Sequence, residues 1–464
     1  MINSRLIRLY KTLNEKELRV LKNWVRSPVQ NKHQDTIKLF DFLSSRRSIT
    51  KITVQKKRLF AYLYPNQMYS EAQLSYLMNY ALELLKEFLG YYQSVLNNFD
   101  TKEKLISTLL ERNMHELANL ELEKLAHKVA STNIKNAKAS LQHLEIEQKK
   151  FELKGTQNRS SQTNLPNFFN HLTDFYSLSM LKYACTASSH KNVTIQDYNI
   201  RLLEAVLADA KESKHPIILL YYNIYQSLEI TEHNNYFELA EILFLEHHHL
   251  LNTQEQNEVL LLLINYCIKQ LNTNEKSFVK KGFEWYRWGL EQAILIRGYL
   301  SRFAYLNIVG LGLKLEEFDW VAEFIPTYIQ HLPLQYQENY KHYTTAKLHF
   351  NQKDYEKAQR LLTQIEYDDI FLNLDTKTML LEIYYEEKSW DSLEALLVSF
   401  SRYLQRKQVI AYHKKVYKNI ITLTRKLISL KPYDKAAKKA LLEEIKTTNP
   451  LAERDWLLKQ TELL

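Results

Sequence analysis

Chemistry carried on helices needs groups that share one face, usually two side chains at i and i+3 or i+4. None of the 15 histidines has another histidine at either spacing. The run His247-His248-His249 spreads its imidazoles about 100° apart around a helix, so it reads as a solvated or partly packed face. His115-Glu116-Leu117-Ala118-Asn119 begins like the His-Glu-x-x-His metalloprotease motif but has Asn119 where the second ligand belongs, which voids it. Val309-Gly310-Leu311-Gly312 opens like a dinucleotide loop, lacks the third glycine, and is better explained by small residues at a helix crossing. There is no Walker loop, no Gly-x-Ser-x-Gly elbow and no paired-cysteine zinc knuckle. Cys185 and Cys267 lie among apolar neighbours and are expected to be buried, inert thiols. The sequence therefore points away from an enzyme, a metal or a cofactor and toward a protein that works by binding.

Charge is the remaining chemical signal. On a helix expected from about 405 to 430, Lys407, Lys414, Lys418 and Arg425 stand at offsets 0, 7, 11 and 18. They project within about 20° of one line, a basic stripe about 27 Å long. Val409, Val416, Ile420, Leu423 and Leu427 project to the opposite side. Arg19, Lys22 and Arg26 make a shorter stripe, with Arg46-Arg47 and Lys56-Lys57-Arg58 behind it. The net charge of +9 is uneven: +11 over residues 1–60, −11 over 61–399 and +10 over 400–446. Residues 215–268 contain no Lys or Arg but seven glutamates, which makes that stretch the acidic counterpart of the ends. Three readings stay open: solvated faces that keep the chain soluble, recognition of an acidic partner by the basic ends, and a head-to-tail contact between ends and middle, within or between chains.

The elements that position these residues are helices. Seven glycines and eight prolines in 464 residues are about a quarter of average usage. Hairpin-rich β folds and phosphate-cradling loops need more of both, so they are excluded. Apolar residues recur at helical spacing, as in Leu18, Leu21 and Val25, or Leu74, Leu77, Ala81, Leu84 and Leu85. Start signals fall at Asn14 with Glu17, Ser70 with Gln73, Thr253 with Gln256 and Asp391 with Glu394. The polar stretch 155–164 reads as a mobile loop and the main boundary, with a softer one near 97–101. The expected organisation is all-α: a basic helical domain over 1–97, long helices ending in the polar loop over 98–165, and helical-hairpin repeats over 166–464. The longest apolar stretch, Val259–Ile268, is about half of a membrane span. The first eight residues are no signal peptide, so the expected location is cytoplasmic.

An aromatic closing a polar turn, with a small or apolar residue three positions on, recurs at Phe318/Val321, Tyr355/Ala358, Trp390/Leu393 and Tyr433/Ala436, at intervals of 37, 35 and 43. Helical hairpins of this length bury their apolar stripes only by stacking into a solenoid. The pattern resembles the tetratricopeptide repeat, whose period is about 34. A unit starting at Asn339 places Ala346 at the small eighth position and Asp354-Tyr355-Glu356-Lys357-Ala358 at the turn. Leu380, Leu381, Tyr384, Leu393 and Leu397 then fall on core positions, and Pro333 where the family has its terminal proline. Leu381, Gly312 and His349 depart from the pattern, so the resemblance covers residues 302–407. Tyr343, Lys347, Thr378 and Glu382 stand where some of these repeats carry a carboxylate clamp, so that activity is not implied. Segments 26–32 with Leu39-Phe40, Asn265-Tyr266-Cys267 and Asp455-Trp456-Leu457-Leu458 also resemble an uncharacterised family of all-helical bacterial proteins of similar length, which implies a fold and no activity.

The expected role is that of a scaffold or adaptor binding a macromolecule, another protein first of all, with self-association as a further option. The residues expected to carry it face the concave side of the best repeats, Tyr340, Tyr343, Lys347, Glu382 and Tyr385, together with the stripe Lys407, Lys414, Lys418 and Arg425. The alternative is a nucleic-acid-binding regulator. Residues 59–65, a turn and a helix from Gln73 to Leu89 resemble a helix-turn-helix, but the second helix offers no Lys or Arg before Lys86.

Overall fold

The computed structural model describes residues 1–464 apart from 47, 97, 156–162, 192–197, 231–234, 273–276, 364–368, 407–410 and 432. The described residues form α-helices in consecutive pairs and contain no strand. No helix among them is long and apolar enough to cross a membrane. The chain divides into two compact units, Met1–Ser179 and Met180–Leu464.

The first unit holds α1 (Arg5–Tyr10), α2 (Glu15–Trp24), α3 (Gln34–Ser44), α4 (Lys56–Leu63), α5 (Glu71–Leu96), α6 (Asn98–Glu111), α7 (His115–Ala130), α8 (Ala137–Gly155) and the start of α9 (Leu165–Lys191). Helices α1 to α5 enclose one core, in which Leu6, Ile7, Val25, Leu39, Phe60, Leu85 and Phe88 are almost fully buried. Helices α6 to α8 enclose a second, around Ile106, Ala118, Leu122 and Ile146. Asn14 caps α2 as expected: its Oδ1 accepts from the Glu17 N–H at 3.0 Å and the Glu17 carboxylate accepts from the Asn14 N–H at 2.8 Å.

The second unit continues through α10 (Leu203–Lys211), α11 (Pro216–Glu229), α12 (Tyr236–His247), α13 (Thr253–Asn272), α14 (Ser277–Glu291), α15 (Arg302–Lys314), α16 (Phe318–Tyr328), α17 (Leu334–Asn351), α18 (Tyr355–Leu362), α19 (Ile370–Glu386), α20 (Trp390–Arg406), α21 (Ala411–Ser429), α22 (Lys435–Thr447) and α23 (Arg454–Leu463). Helices α11 and α12, α13 and α14, α15 and α16, α17 and α18, and α19 and α20 pack as hairpins. The first helices of adjacent hairpins also touch, α15 with α17 and α17 with α19. Each isolated hairpin would leave one apolar stripe in water, and stacking covers it.

Three of the four spaced aromatics open the second helix of a hairpin: Phe318 begins α16, Tyr355 begins α18 and Trp390 begins α20. Val321, Ala358 and Leu393, three positions on, are fully buried. The same turn precedes all three. Glu316, Lys353 and Lys388 adopt φ of +61°, +61° and +57°, and the next N–H reaches back to the carbonyl of Gly312, His349 or Tyr384. This is a Schellman C-cap built with a side chain where glycine is usual, which explains how so many turns coexist with so few glycines. The fourth pair breaks the pattern: Tyr433 and Ala436 are both exposed. There α22 packs chiefly on α23 instead of α21.

Two further expectations need correction. The helix expected from 405 to 430 does not run on from α20: the Phe400 and Tyr417 rings lie 5.8 Å apart and Arg425 is 3.6 Å from Glu394, so α20 and α21 lie against each other, and residues 407–410 fall outside the described residues. The α13 cap is Asn252, whose Oδ1 accepts from the Glu255 N–H at 3.0 Å, and Asp391 lies inside the first turn of α20.

Candidate functional site

The polar side chains that are hardest to explain as packing lie on α17 and α19. Tyr343 and Lys347 are one turn apart on α17, and both point at Asp375 on α19. The Lys347 Nζ donates to Asp375 Oδ2 at 2.9 Å and to the Tyr343 hydroxyl at 3.2 Å, and the Tyr343 hydroxyl donates to the same carboxylate. The Lys347 and Asp375 side chains keep about a third of their exposure, 31% and 32%, so this triad lies at a wall and not in a sealed core. Burial works against the Lys347 charge, but Asp375 outweighs it and holds the ammonium above the ordinary lysine range. Burial likewise opposes the Asp375 charge, and Lys347 with the two hydrogen bonds keeps its carboxyl below the usual range.

Glu382 lies seven residues beyond Asp375, two turns along the same face of α19. It is 8% exposed, and no hydrogen bond or ion pair reaches its carboxylate from any described residue. Burial first, then the carboxylates of Glu453, Glu386 and Asp375, push it up to about 9. Glu453, at the entry to α23, touches solvent yet is crowded by protein. That crowding, then Asp375, raises it too. Tyr417 on α21 lies in the same field, with burial foremost and Asp375 and Glu453 next in bringing its phenol to about 12. The Glu386 carboxylate accepts from Tyr355, Trp456 and Gln460 at 2.6, 3.0 and 3.1 Å. All three donors are neutral, so its charge is not cancelled.

The expected site residues are thus brought together only in part. Lys347 and Glu382 share the wall. Tyr340, Tyr343 and Tyr385 are buried, at 2%, 4% and 8%, so their rings fill helix contacts and are not free contact area. The Tyr385 ring packs edge-on against Trp390 and Trp456, with centroids 5.5 and 5.3 Å away. Lys407 lies outside the described residues. Lys414, Lys418 and Arg425 are exposed on one face of α21, opposite the buried Ile420, Leu423 and Leu427. This remnant is about 16 Å long at the helical rise. Arg425 is also 3.6 Å from Glu394. Asp375, Tyr417, Glu386 and Glu453 escaped the sequence reading. The seven-residue spacing of Asp375 and Glu382 was a usable signal, whereas Tyr417 and Glu453 are brought in by helices far along the chain.

His248 packs edge-on against Trp288 at 5.4 Å. Among the described residues no group of three or more His, Cys, Asp or Glu side chains is placed to hold a metal ion. Cys185 and Cys267 are fully buried, and burial raises both thiols, that of Cys267 to about 12. In the N-terminal unit Ser75, Tyr76 and Asn79 are exposed on α5, and Lys86 pairs with Glu83 at 2.7 Å. Arg26 is held by both oxygens of Asp41, at 2.6 and 2.7 Å. Searches among protein-family models, curated proteins and solved structures find no match to this chain.

Proposed function

We propose that this is a non-catalytic interaction protein of the cytoplasm whose tetratricopeptide-like hairpins bind another protein over the face formed by α17, α19 and α21. The observation that carries this reading is the ionisable wall of Lys347, Asp375 and Glu382 on helices that otherwise bury apolar side chains, with the exposed Glu453 at the entry to α23 acting on it. A stacking surface needs no charge, and charge held against protein is costly unless something compensates it. Stacked hairpins supply the rigid frame for such a wall, and an extended surface of this kind suits a protein segment. The test is site-specific photocross-linking in the full chain, with the reactive residue at Lys314 or Asp455, whose charges act on Glu453, or at Tyr433 in the α21–α22 turn. The reading expects a discrete protein adduct from the first two positions and none from Tyr433. Adducts of equal yield from all three, or none from the first two, would sink it.

A further inference from the structure

The wall around Glu382 contains more carboxyl groups than the cations among the described residues pair with. The single ammonium at its centre, on Lys347, is already committed to Asp375 and Tyr343. That leaves the carboxylates of Glu382, Glu386 and Glu453 without an ion pair among the described residues, and of the three Glu382 alone is buried, Glu386 and Glu453 being exposed. Glu382 is the informative one, because it is nine-tenths buried, faces the other carboxylates and accepts from no described residue. A carboxyl left so is either a defect or half of an interaction whose other half arrives from outside. Carboxylates are the usual receptor for an ammonium or guanidinium. A metal ion is a poorer fit, since no three ligating side chains converge among the described residues.

We propose that the buried Glu382 carboxyl receives a lysine or arginine side chain from the partner protein. The proposal rests on the interaction reading above and names the chemistry of the segment that docks. Lys347 and Asp375 keep solvent contact at one flank and Glu453 at another, so a long basic side chain can reach the carboxyl without unfolding the wall. At neutral pH the carboxyl is held protonated by its burial and its acidic neighbours. An arriving cation reverses that balance, so docking releases the Glu382 proton to solvent while Asp375, Glu386 and Glu453 face the new charge and Lys347 and Lys314 oppose it.

The test titrates the full chain with a fluorescein-labelled hexalysine and a hexa-arginine peptide, with hexa(acetyl-lysine) as the neutral control. Glu382→Gln keeps the shape of the protonated side chain and removes its ability to ionise. Glu453→Gln is the second variant, and Glu323→Gln, at an exposed position of α16, is the control. The expected result is at least tenfold weaker binding in Glu382→Gln, an intermediate loss in Glu453→Gln and no change in Glu323→Gln. Calorimetry at pH 7.5 in phosphate and in Tris should show about one proton released per peptide by the wild type and none by Glu382→Gln. Equal affinity of wild type and Glu382→Gln, binding of the acetylated peptide as tightly as hexalysine, or no binding at all would each overturn the proposal. If the cross-links from Lys314 and Asp455 persist in any of those cases, the interaction reading stands and only the basic-side-chain receptor fails.

Discussion

At the scale of single residues, Glu382 makes a prediction about stability that needs no partner. Its carboxyl has a folded-state pKa near 9, raised from the ordinary 4.5. As pH rises past about 4.5 the unfolded chain gives up this proton while the folded chain keeps it. The group's contribution is therefore fully present below that pH, is lost progressively toward pH 9, and then levels off. Glutamine at this position has nothing to titrate. Glu382→Gln should match the wild type within error at pH 4.5 and exceed it by on the order of 5 kcal/mol at pH 8, since the pH interval above 4.5 is worth about 1.4 kcal/mol per unit. Urea denaturation across that range measures the difference directly, and a constant offset at all pH values would show that Glu382 titrates normally. Asp375 works the other way, because its folded pKa is depressed: what it contributes is lost as pH falls, below the Glu382 window.

At the scale of elements, two glycines two residues apart on α15 should respond oppositely to one added methyl. A Cβ at Gly312 would come within 2.6 Å of Val321 Cγ2 and 3.2 Å of the Phe283 ring, because three helices close on that point. A Cβ at Gly310 meets nothing within 4 Å. Gly312→Ala should therefore cost about 1 to 3 kcal/mol through overpacking, whereas Gly310→Ala should gain about 0.5 to 1 kcal/mol from the helix interior. Thermal melts of the two variants decide it, and a loss in both would mean that Gly310 is contacted in solution. The hairpin turns yield a companion prediction. Lys353 and Lys388 hold left-handed conformations that cost an L-residue roughly 1 to 2 kcal/mol. Lys353→Gly and Lys388→Gly should each raise stability by up to about 1 kcal/mol, after the greater chain entropy of glycine is subtracted. A drop in melting temperature in both would show that the lysine side chains stabilise these turns by some contact that outweighs the strain.

For the whole molecule, what was legible in the sequence was whatever is local. Scarce glycine and proline, apolar spacing of three and four, and the aromatic that opens α16, α18 and α20 all act within one helix or one turn, so the all-helical hairpins could be read directly. The fourth repeat could not, because Tyr433 and Ala436 fit the local pattern while the packing of α22 on α23 decides their fate. The site was half legible for the same reason: Lys347 and Glu382 follow from repeat register, but Glu453 and Tyr417 join them only through the path of the last three helices. The charge map bears on the two functional classes that the sequence left open, and DNA binding at two salt concentrations tests between them. Of the basic side chains near the N-terminus, Arg26, Lys38 and Lys56 are engaged with Asp41, Asp35 and Glu71. The exposed face of α5 at Ser75, Tyr76 and Asn79 carries no cation, and a helix that reads bases normally brings Arg or Lys to guanine edges and phosphates. A basic end without such an arrangement should hold duplex DNA only through loose phosphate contacts. Measured at about 50 mM and 200 mM salt, binding should be weak at the lower concentration and undetectable at the higher. A tight complex at 200 mM salt would move the function to the N-terminal unit, whereas hexalysine binding that depends on Glu382 under the same conditions would keep it at the wall of α17, α19 and α21.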